Sequence, residues 1–145
     1  MIKELNSFKL EFPSLSSNEG FARAAAACFA AGLDPTLEEL GDIKTAVSEA
    51  VTNCIVHAYP DSIGRIVLKG KSYSDNSVEF TVRDWGRGID DVSAARQPLF
   101  TTGGDDRSGM GFTIMESFMD RLRVRSAPGK GTTVTMSRRL TPKRP

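Results

Sequence analysis

Val78-Glu79-Phe80-Thr81-Val82-Arg83-Asp84-Trp85-Gly86-Arg87-Gly88 reads as a strand that runs into a glycine turn. Val78, Phe80 and Val82 fall on one side of a period of two, with Glu79, Thr81 and Arg83 on the other. One face of this strand is therefore covered and the other meets water. A sheet with one dry face needs a single layer packed on that face, and the flanking sequence supplies it. Ile63 to Tyr73 is a second β-like run, joined to the first through the turn formers Ser74-Asp75-Asn76-Ser77 as a hairpin. Before it, Asp34-Pro35-Thr36 opens a helix, with Pro at a first helical position, that runs to Ala58 and stops at Tyr59-Pro60. Its apolar stripe is Leu40, Ile43, Val47, Ala50, Val51, Cys54 and Ile55.

Working outward, Phe8, Leu10 and Phe12 alternate with Lys9 and Glu11 as a first strand ended by Pro13. Ser16 and Glu19 have capping-box spacing, and Phe21, Ala25, Cys28 and Phe29 form the expected buried stripe of a helix that stops before Gly32. From Trp85 to Gly111 the chain carries six of its 13 glycines and little apolar period. This predicts a long loop with a short helix near Val92 to Arg96. A helix over Met110 to Met119, a strand around Leu122 to Arg125, the turn Pro128-Gly129-Lys130-Gly131 and a strand near Thr133 to Ser137 follow, and Thr141 to Pro145 reads as a frayed tail. The spacing of Met110, Met115 and Met119 favours core over a partner-facing patch. The sum is an α+β two-layer sandwich, a mostly antiparallel sheet covered on one face by helices, spanning residues 1–145 as one domain.

Composition agrees with one core. The chain has 145 residues, 39% hydrophobic and 26% charged. Lys and Arg total 19 against 18 for Asp and Glu, a net charge of +1, so no global field steers it onto nucleic acid or membrane. Cys28 and Cys54 lie in apolar stretches without CxxC or metal-ligand spacing and read as reduced core residues. No apolar run reaches the roughly 20 residues of a membrane span, and Lys3, Glu4 and Asn6 replace the apolar block of a signal peptide. The expected location is cytoplasmic, with neither membrane nor direct nucleic-acid partners.

Four elements carry chemistry. Glu49, Asn53 and His57 fall four residues apart along one line of the long helix. The carboxylate suits a general base and the amide oxygen suits magnesium, while His57 reads as a helix-end residue. Asp84-x-Gly86-x-Gly88 puts a strand-end carboxylate, able to accept from an amine such as adenine's, beside glycines that permit close backbone approach. Ser108-Gly109-Met110-Gly111-Phe112 places glycines at the opening of a helix, whose free N–H groups favour phosphate, after Thr101-Thr102-Gly103-Gly104. Gly131-Thr132-Thr133 sets hydroxyls at a strand start. Singly, these are also what a solvated helix edge, a turn or a hairpin would show. Neither a Walker loop nor a dinucleotide fingerprint is present.

Together, in this order, Glu49-Ala50-Val51-Thr52-Asn53, Asp84-x-Gly86-x-Gly88, Gly109-Met110-Gly111-Phe112 and Gly131-Thr132-Thr133 resemble the N box, G1 box, G2 box and terminal threonine motif of the GHKL ATPase/kinase superfamily, with its Bergerat ATP-binding fold. More narrowly, Leu33-Asp34-Pro35-Thr36, Ile43-Lys44-Thr45, Ala95 to Thr102 and Arg107 to Glu116 are similar to the sporulation anti-sigma F factors, a family of serine switch kinases, over residues 8 to 137. The resemblance implies that ATP or ADP and Mg2+ are the cofactors, with Asn53 at the metal and Asp84 at the adenine amine. Thr132 or Thr133 would assist at adenine, and Gly109 and Gly111, flanked by Ser108 and Met110, would meet phosphates. Glu49 would act as base toward a protein serine and Arg107 would neutralise γ-phosphate charge. Residues from about 96 to 108, Thr101 included, would form the lid, and Arg23 would dock a partner. Such proteins act as dimers, hold a sigma F-type factor and phosphorylate a serine of an anti-anti-sigma protein. Two other readings stay open: a nucleotide-gated module that sequesters a sigma factor with little kinase activity, and the related stress-response switch kinase. A sensor histidine kinase fits poorly, since the one histidine lies inside the nucleotide box.

Overall fold

The computed structural model describes residues 1–96 and 111–142. Five strands, β1 (Glu4–Pro13), β2 (Arg65–Tyr73), β3 (Ser77–Asp84), β4 (Arg121–Ala127) and β5 (Gly131–Arg139), form one antiparallel sheet in the order β1-β2-β3-β5-β4. The hairpin read from the sequence has Leu68 opposite Val82 and Ile66 opposite Asp84. Val82 in turn faces Val134 of β5, which faces Val124 of β4. Helices α1 (Asn18–Ala30), α2 (Leu37–Asn53) and α4 (Gly111–Phe118) cover one side of this sheet, and the short α3 (Val92–Ala95) lies where a brief helix was expected. Phe80, Ile43, Ile66, Leu68, Met115 and Met136 are fully buried between the layers. Met115 and Met119 are core, as their spacing predicted.

The α2 stripe holds, with Ile43, Val47, Ala50, Val51 and Cys54 buried and Leu40 and Ile55 packed against them. Its start differs from expectation by two residues. Thr36, extended at φ −69° and ψ 162°, is the N-cap, and Pro35 precedes the helix. The Thr36 hydroxyl accepts from the Glu39 N–H at 3.1 Å, and Glu39 Oε1 accepts from the Thr36 N–H at 2.8 Å, a reciprocal cap worth about 1 kcal/mol.

Three expectations near α1 are corrected. The Ser16/Glu19 box does not form. The N-cap is Ser17, its backbone is already helical at φ −63° and ψ −21°, and its side chain makes no capping bond. The buried face is Ala22, Ala26 and Ala30, while Phe21 is exposed. Small side chains let α1 lie close against its neighbours, and Phe29 instead reaches over the sheet to pack at a tilt against Phe8, with ring centroids 4.8 Å apart and planes at 54°. Cys28 is exposed, so the core assignment holds for Cys54 alone. The start of the tail is also better anchored than expected. Leu140 is buried, and Thr141 donates through both its N–H and its hydroxyl to Glu39 Oε2, at 2.8 and 3.0 Å. No helix among the described residues is long and apolar enough to cross a membrane.

Candidate functional site

Where α2 ends, its winding loosens into a π-type turn over Cys54–Ala58, with the Tyr59 N–H reaching back five residues to the Cys54 carbonyl at 3.2 Å. Such turns recur at functional sites because they re-aim side chains that a regular helix would carry past. Here the Ala58 carbonyl is turned toward the segment after β3 and accepts the Arg87 N–H at 3.2 Å. That approach requires Gly86, since a Cβ there would stand 2.3 Å from the Ala58 oxygen. Gly88 has φ +77°, and a Cβ on it would fall 2.1 Å from the Ala127 carbonyl oxygen. Two glycines thus let the end of α2, the post-β3 turn and the β4–β5 turn meet.

Between them lies a cavity of about 620 Å3, lined by Asn53, Cys54 and His57 from the end of α2, Asp84 and Gly88 from the β3 turn, Asp91 and Ala95 around α3, Gly111 and Phe112 at the start of α4, and Thr132 and Val134 from β5. Its mixed apolar and polar walls are those of a small-molecule site. Asp84, 4% exposed, sits in the wall with its bonds divided. Oδ1 accepts the N–H groups of Gly86 at 2.9 Å and Thr132 at 3.2 Å, and Oδ2 accepts the Cys54 thiol proton at 3.4 Å. Burial raises the pKa of Asp84 above the usual carboxylate value, against the lowering effect of these bonds. The Cys54 thiol is pushed well up by burial and by the neighbouring Asp84 charge, so it stays a neutral donor. Oδ2 keeps acceptor capacity for one more donor in the cavity wall.

Around Asp84 a second layer of bonds fixes the turn. The Tyr59 hydroxyl accepts the Trp85 N–H at 2.7 Å and donates to the Arg65 carbonyl at 2.7 Å. The Ser126 and Thr132 hydroxyls bond at 2.7 Å, and Ser126 also accepts the Ile89 N–H at 2.8 Å. Across the cavity Gly111 faces the Asn53 amide, where an added Cβ would lie 3.1 Å from Nδ2 and 3.2 Å from Oδ1. Among the described residues no group of three His, Cys, Asp or Glu side chains could hold a metal ion. The Asn53 amide oxygen in this wall is a neutral hard donor of the kind magnesium accepts beside water and ligand oxygens.

The structure brings together Asn53, Asp84, Gly88, Gly111 and Thr132, with Gly86 immediately behind them. It separates Thr133, which lies on the opposite sheet face in register with Arg83 and Arg125, so of the two threonines only Thr132 reaches the cavity. Glu49 lies one turn before Asn53, half-buried and outside the cavity lining. Arg23 is on α1, paired with Glu19 at 3.5 Å and away from the cavity. Thr101, Arg107, Ser108, Gly109, Met110 and most of the expected lid lie outside the described residues. His57 is both things its position allowed, a helix-end residue and part of the wall. Sequence reasoning missed Cys54 as a partner of Asp84 and Tyr59 as the brace of the turn. The first was hidden by its place in an apolar stripe, the second by its reading as a helix stop.

The model of the histidine kinase-like ATPase domain matches residues 12–138. An anti-sigma F factor of Caldanaerobacter subterraneus subsp. tengcongensis is 57% identical over 134 residues, covering 92% of this chain and 93% of its own. One from Bacillus subtilis is 52% identical over 136 residues, covering 93% of each. Among solved structures, the RsbU and RsbW domains of Rv1364c from Mycobacterium tuberculosis superpose with a TM-score of 0.69 at 22% identity, over 94% of this chain and 32% of that one. The mycobacterial sensor histidine kinase MprB gives 0.57 at 20% identity, over 72% and 74%. At those identities the structural likeness concerns the fold.

Proposed function

Because the chain belongs to the histidine kinase-like ATPase domain family and, within it, to the anti-sigma F factors, we propose that this ATP-binding anti-sigma factor is a magnesium-dependent protein serine kinase of its anti-anti-sigma partner. The observation that carries the nucleotide assignment is Asp84, a buried carboxylate with Oδ1 committed to two N–H groups and Oδ2 left with room for an amine donor in the cavity wall. That is how a site selects an adenine amine over a carbonyl at the same place, since a mispaired buried group costs about 1–3 kcal/mol. Thr132, whose N–H orients Asp84 and whose hydroxyl bonds Ser126, completes that end. At the other end Asn53, backed by Gly111, would hold the magnesium ion, which supplies charge neutralisation to the phosphates. Gly109, with Ser108 and Met110, would meet those phosphates under a lid of residues 96–108 that includes Thr101, and Arg107 would offset charge at the transferred group.

Glu49 stands outside the cavity lining, one turn from Asn53. A base placed there is reached by a hydroxyl carried on a protein surface more readily than by a molecule enclosed with the nucleotide. Accepting that hydroxyl proton as the serine oxygen bonds the γ-phosphorus, while the bond from that phosphorus to the β,γ-bridging oxygen breaks and ADP leaves, fits a transfer governed by positioning and charge. The same proposal makes residues 1–145 one kinase domain acting as a homodimer in the cytoplasm, holding a sigma F-type factor and docking partners through Arg23. The test is γ-phosphate transfer from labelled ATP with magnesium to an anti-anti-sigma protein, beside Glu49→Ala. Serine labelling that disappears in the variant, with nucleotide affinity retained, is the expected result. Magnesium-dependent binding with no transfer by the parental protein would instead leave a nucleotide-gated sequestering module.

A further inference from the structure

The near-zero net charge of the chain conceals a strongly uneven surface. Strand alternation turns Phe8, Leu10, Phe80, Val82, Val134 and Met136 toward the helices, and among the described residues no helix packs on the other face of the sheet. On that face β4 presents Arg121, Arg123 and Arg125, all exposed. The opposite margin presents exposed Lys9 from β1 and Arg65, Lys69 and Lys71 from β2, and Arg83 stands between. Against these eight cations the same strand positions carry Glu11 and Glu79. Glu11 pairs with Arg65 at 3.7 Å, and Lys71 pairs with Glu4 at the edge, at 3.5 Å. The other six have no carboxylate partner among the described residues.

The floor between the two cationic margins, on β3 and β5, carries the hydroxyls of Thr81, Thr133, Thr135 and Ser137 beside Glu79 and Arg83. Lys69, Thr81, Thr135 and Arg123 lie in one cross-strand row, and Arg83, Thr133 and Arg125 in the next. Trp85, the single tryptophan, has its ring engaged by the guanidinium groups of Arg65 and Arg83, at 3.8 and 4.6 Å from the centroid. Of the apolar and aromatic side chains that β2 sets on this face, Val67 is buried and Tyr73 is half-exposed at the strand's end, so the exposed centre between the margins is polar. Arginine, lysine and threonine together are the side chains that contact phosphate oxygens. From β2 to β4 is three strand spacings, about 14 Å. The two phosphate ridges beside a DNA major groove stand about 12 Å apart, a difference that long side chains absorb.

The geometry points to the open face of this sheet as a docking surface for the backbone of double-stranded DNA, without sequence readout, one ridge on the β4 arginines and the other on the β1–β2 cations. It is independent of the kinase reading, since the cavity lies on the helical side of the sheet. The experiment is anisotropy of a labelled duplex of about 20 base pairs titrated with the full chain, starting at about 50 mM salt, where affinity should fall with a log–log salt slope of about −0.9 per phosphate contact. Arg123→Gln with Arg125→Gln should flatten that slope by up to about 1.8, and Lys9→Gln with Lys69→Gln should do the same from the other margin. Lys44→Glu, an equal change of net charge on the helical layer, should leave it unchanged. Thermal melts check that each variant is folded. Four outcomes would overturn the proposal: no binding at low salt, an equal loss in Lys44→Glu, tighter binding of a single strand, or displacement of the duplex by polyglutamate at equal charge, which would mark an acidic protein as the occupant.

Discussion

Replacing Asp84 by Asn should separate what this residue does for the ligand from what it does for the fold. Asparagine keeps the shape and one carbonyl oxygen, so the N–H groups of Gly86 and Thr132, at 2.9 and 3.2 Å, retain their acceptor. What changes is the second position, where an amide donor replaces the oxygen that now accepts the Cys54 thiol proton at 3.4 Å. A ligand amine arriving there would meet a donor instead of a partly desolvated carboxylate. Losing a charge-assisted bond of this kind costs about 3 kcal/mol, or roughly a hundredfold in affinity for adenine nucleotides. Stability should move the other way. Burial raises the Asp84 pKa in the folded state, so the native protein holds this proton more firmly than the unfolded chain does. The favourable contribution is present at acid pH, below the unfolded value, and is lost as pH rises through the raised folded value. At neutral pH the charge is a cost that asparagine removes. Calorimetric titration with ATP and ADP, paired with melting curves from acid to neutral pH, tests both halves. Nucleotide affinity within threefold of the parental protein would refute the amine-reading role, and a large drop in melting temperature would show that the carboxylate is needed to hold the turn.

Gly111→Ala should bring a methyl group to 3.1–3.2 Å from the Asn53 amide, displacing it and weakening nucleotide binding with magnesium by about 1 kcal/mol more than binding without it, a difference read from parallel titrations. Glu39→Ala should lower stability by about 2 kcal/mol, or roughly 4–8 °C in melting temperature, because it strips the α2 cap and the anchor of Thr141 together. For Glu39 burial pushes the pKa up, yet its bonds to Thr36 and Thr141 carry the balance below the ordinary value. Its stabilisation is therefore present above the unfolded pKa and lost as pH falls through the folded one, and the variant should show a shallower acid-unfolding profile. Tyr59→Phe should cost about 1–2 kcal/mol by leaving the Trp85 N–H without its acceptor, and should change the fluorescence of that single tryptophan.

The parts of the molecule legible in the sequence are those where one physical signal dominates. Alternation through Val78, Phe80 and Val82 marks β3, its dry face and the strand-end position of Asp84, because a half-buried strand has a single solution at period two. The α2 stripe is equally clear, since polar residues interrupt it on every side. The α1 face was misread because Phe21, Ala22, Ala25, Ala26, Cys28, Phe29 and Ala30 surround that helix with apolar groups, so period alone cannot choose between them. Size decides instead, and the alanines win the close contact. The Ser16-x-x-Glu19 and Thr36-x-x-Glu39 spacings look alike, yet of these two only the second forms a capping box. Thr36 has the extended backbone that frees its hydroxyl for the N3 amide, which depends on how the chain leaves the turn at Asp34, with φ 56°, whereas the α1 N-cap Ser17 is already helical.

The candidate site shows the same division. Asn53, Asp84, Gly88 and Thr132 were readable because each motif carries chemistry at a fixed spacing, whereas Cys54 and Tyr59 act only through contacts made across the fold. Thr132 and Thr133 could not be told apart until the sheet register put one against Asp84 and the other between Arg83 and Arg125. That register has a further consequence. The alternation that delivers Thr132 to the cavity is what sends Arg83, Arg121, Arg123 and Arg125 to the opposite face. A one-residue slip of β5 would remove the Asp84 partner and break the hydroxyl rows of the outer face together. The nucleotide cavity and the cationic face are thus two sides of one pairing pattern, and variants chosen by strand parity should perturb one while leaving the other intact.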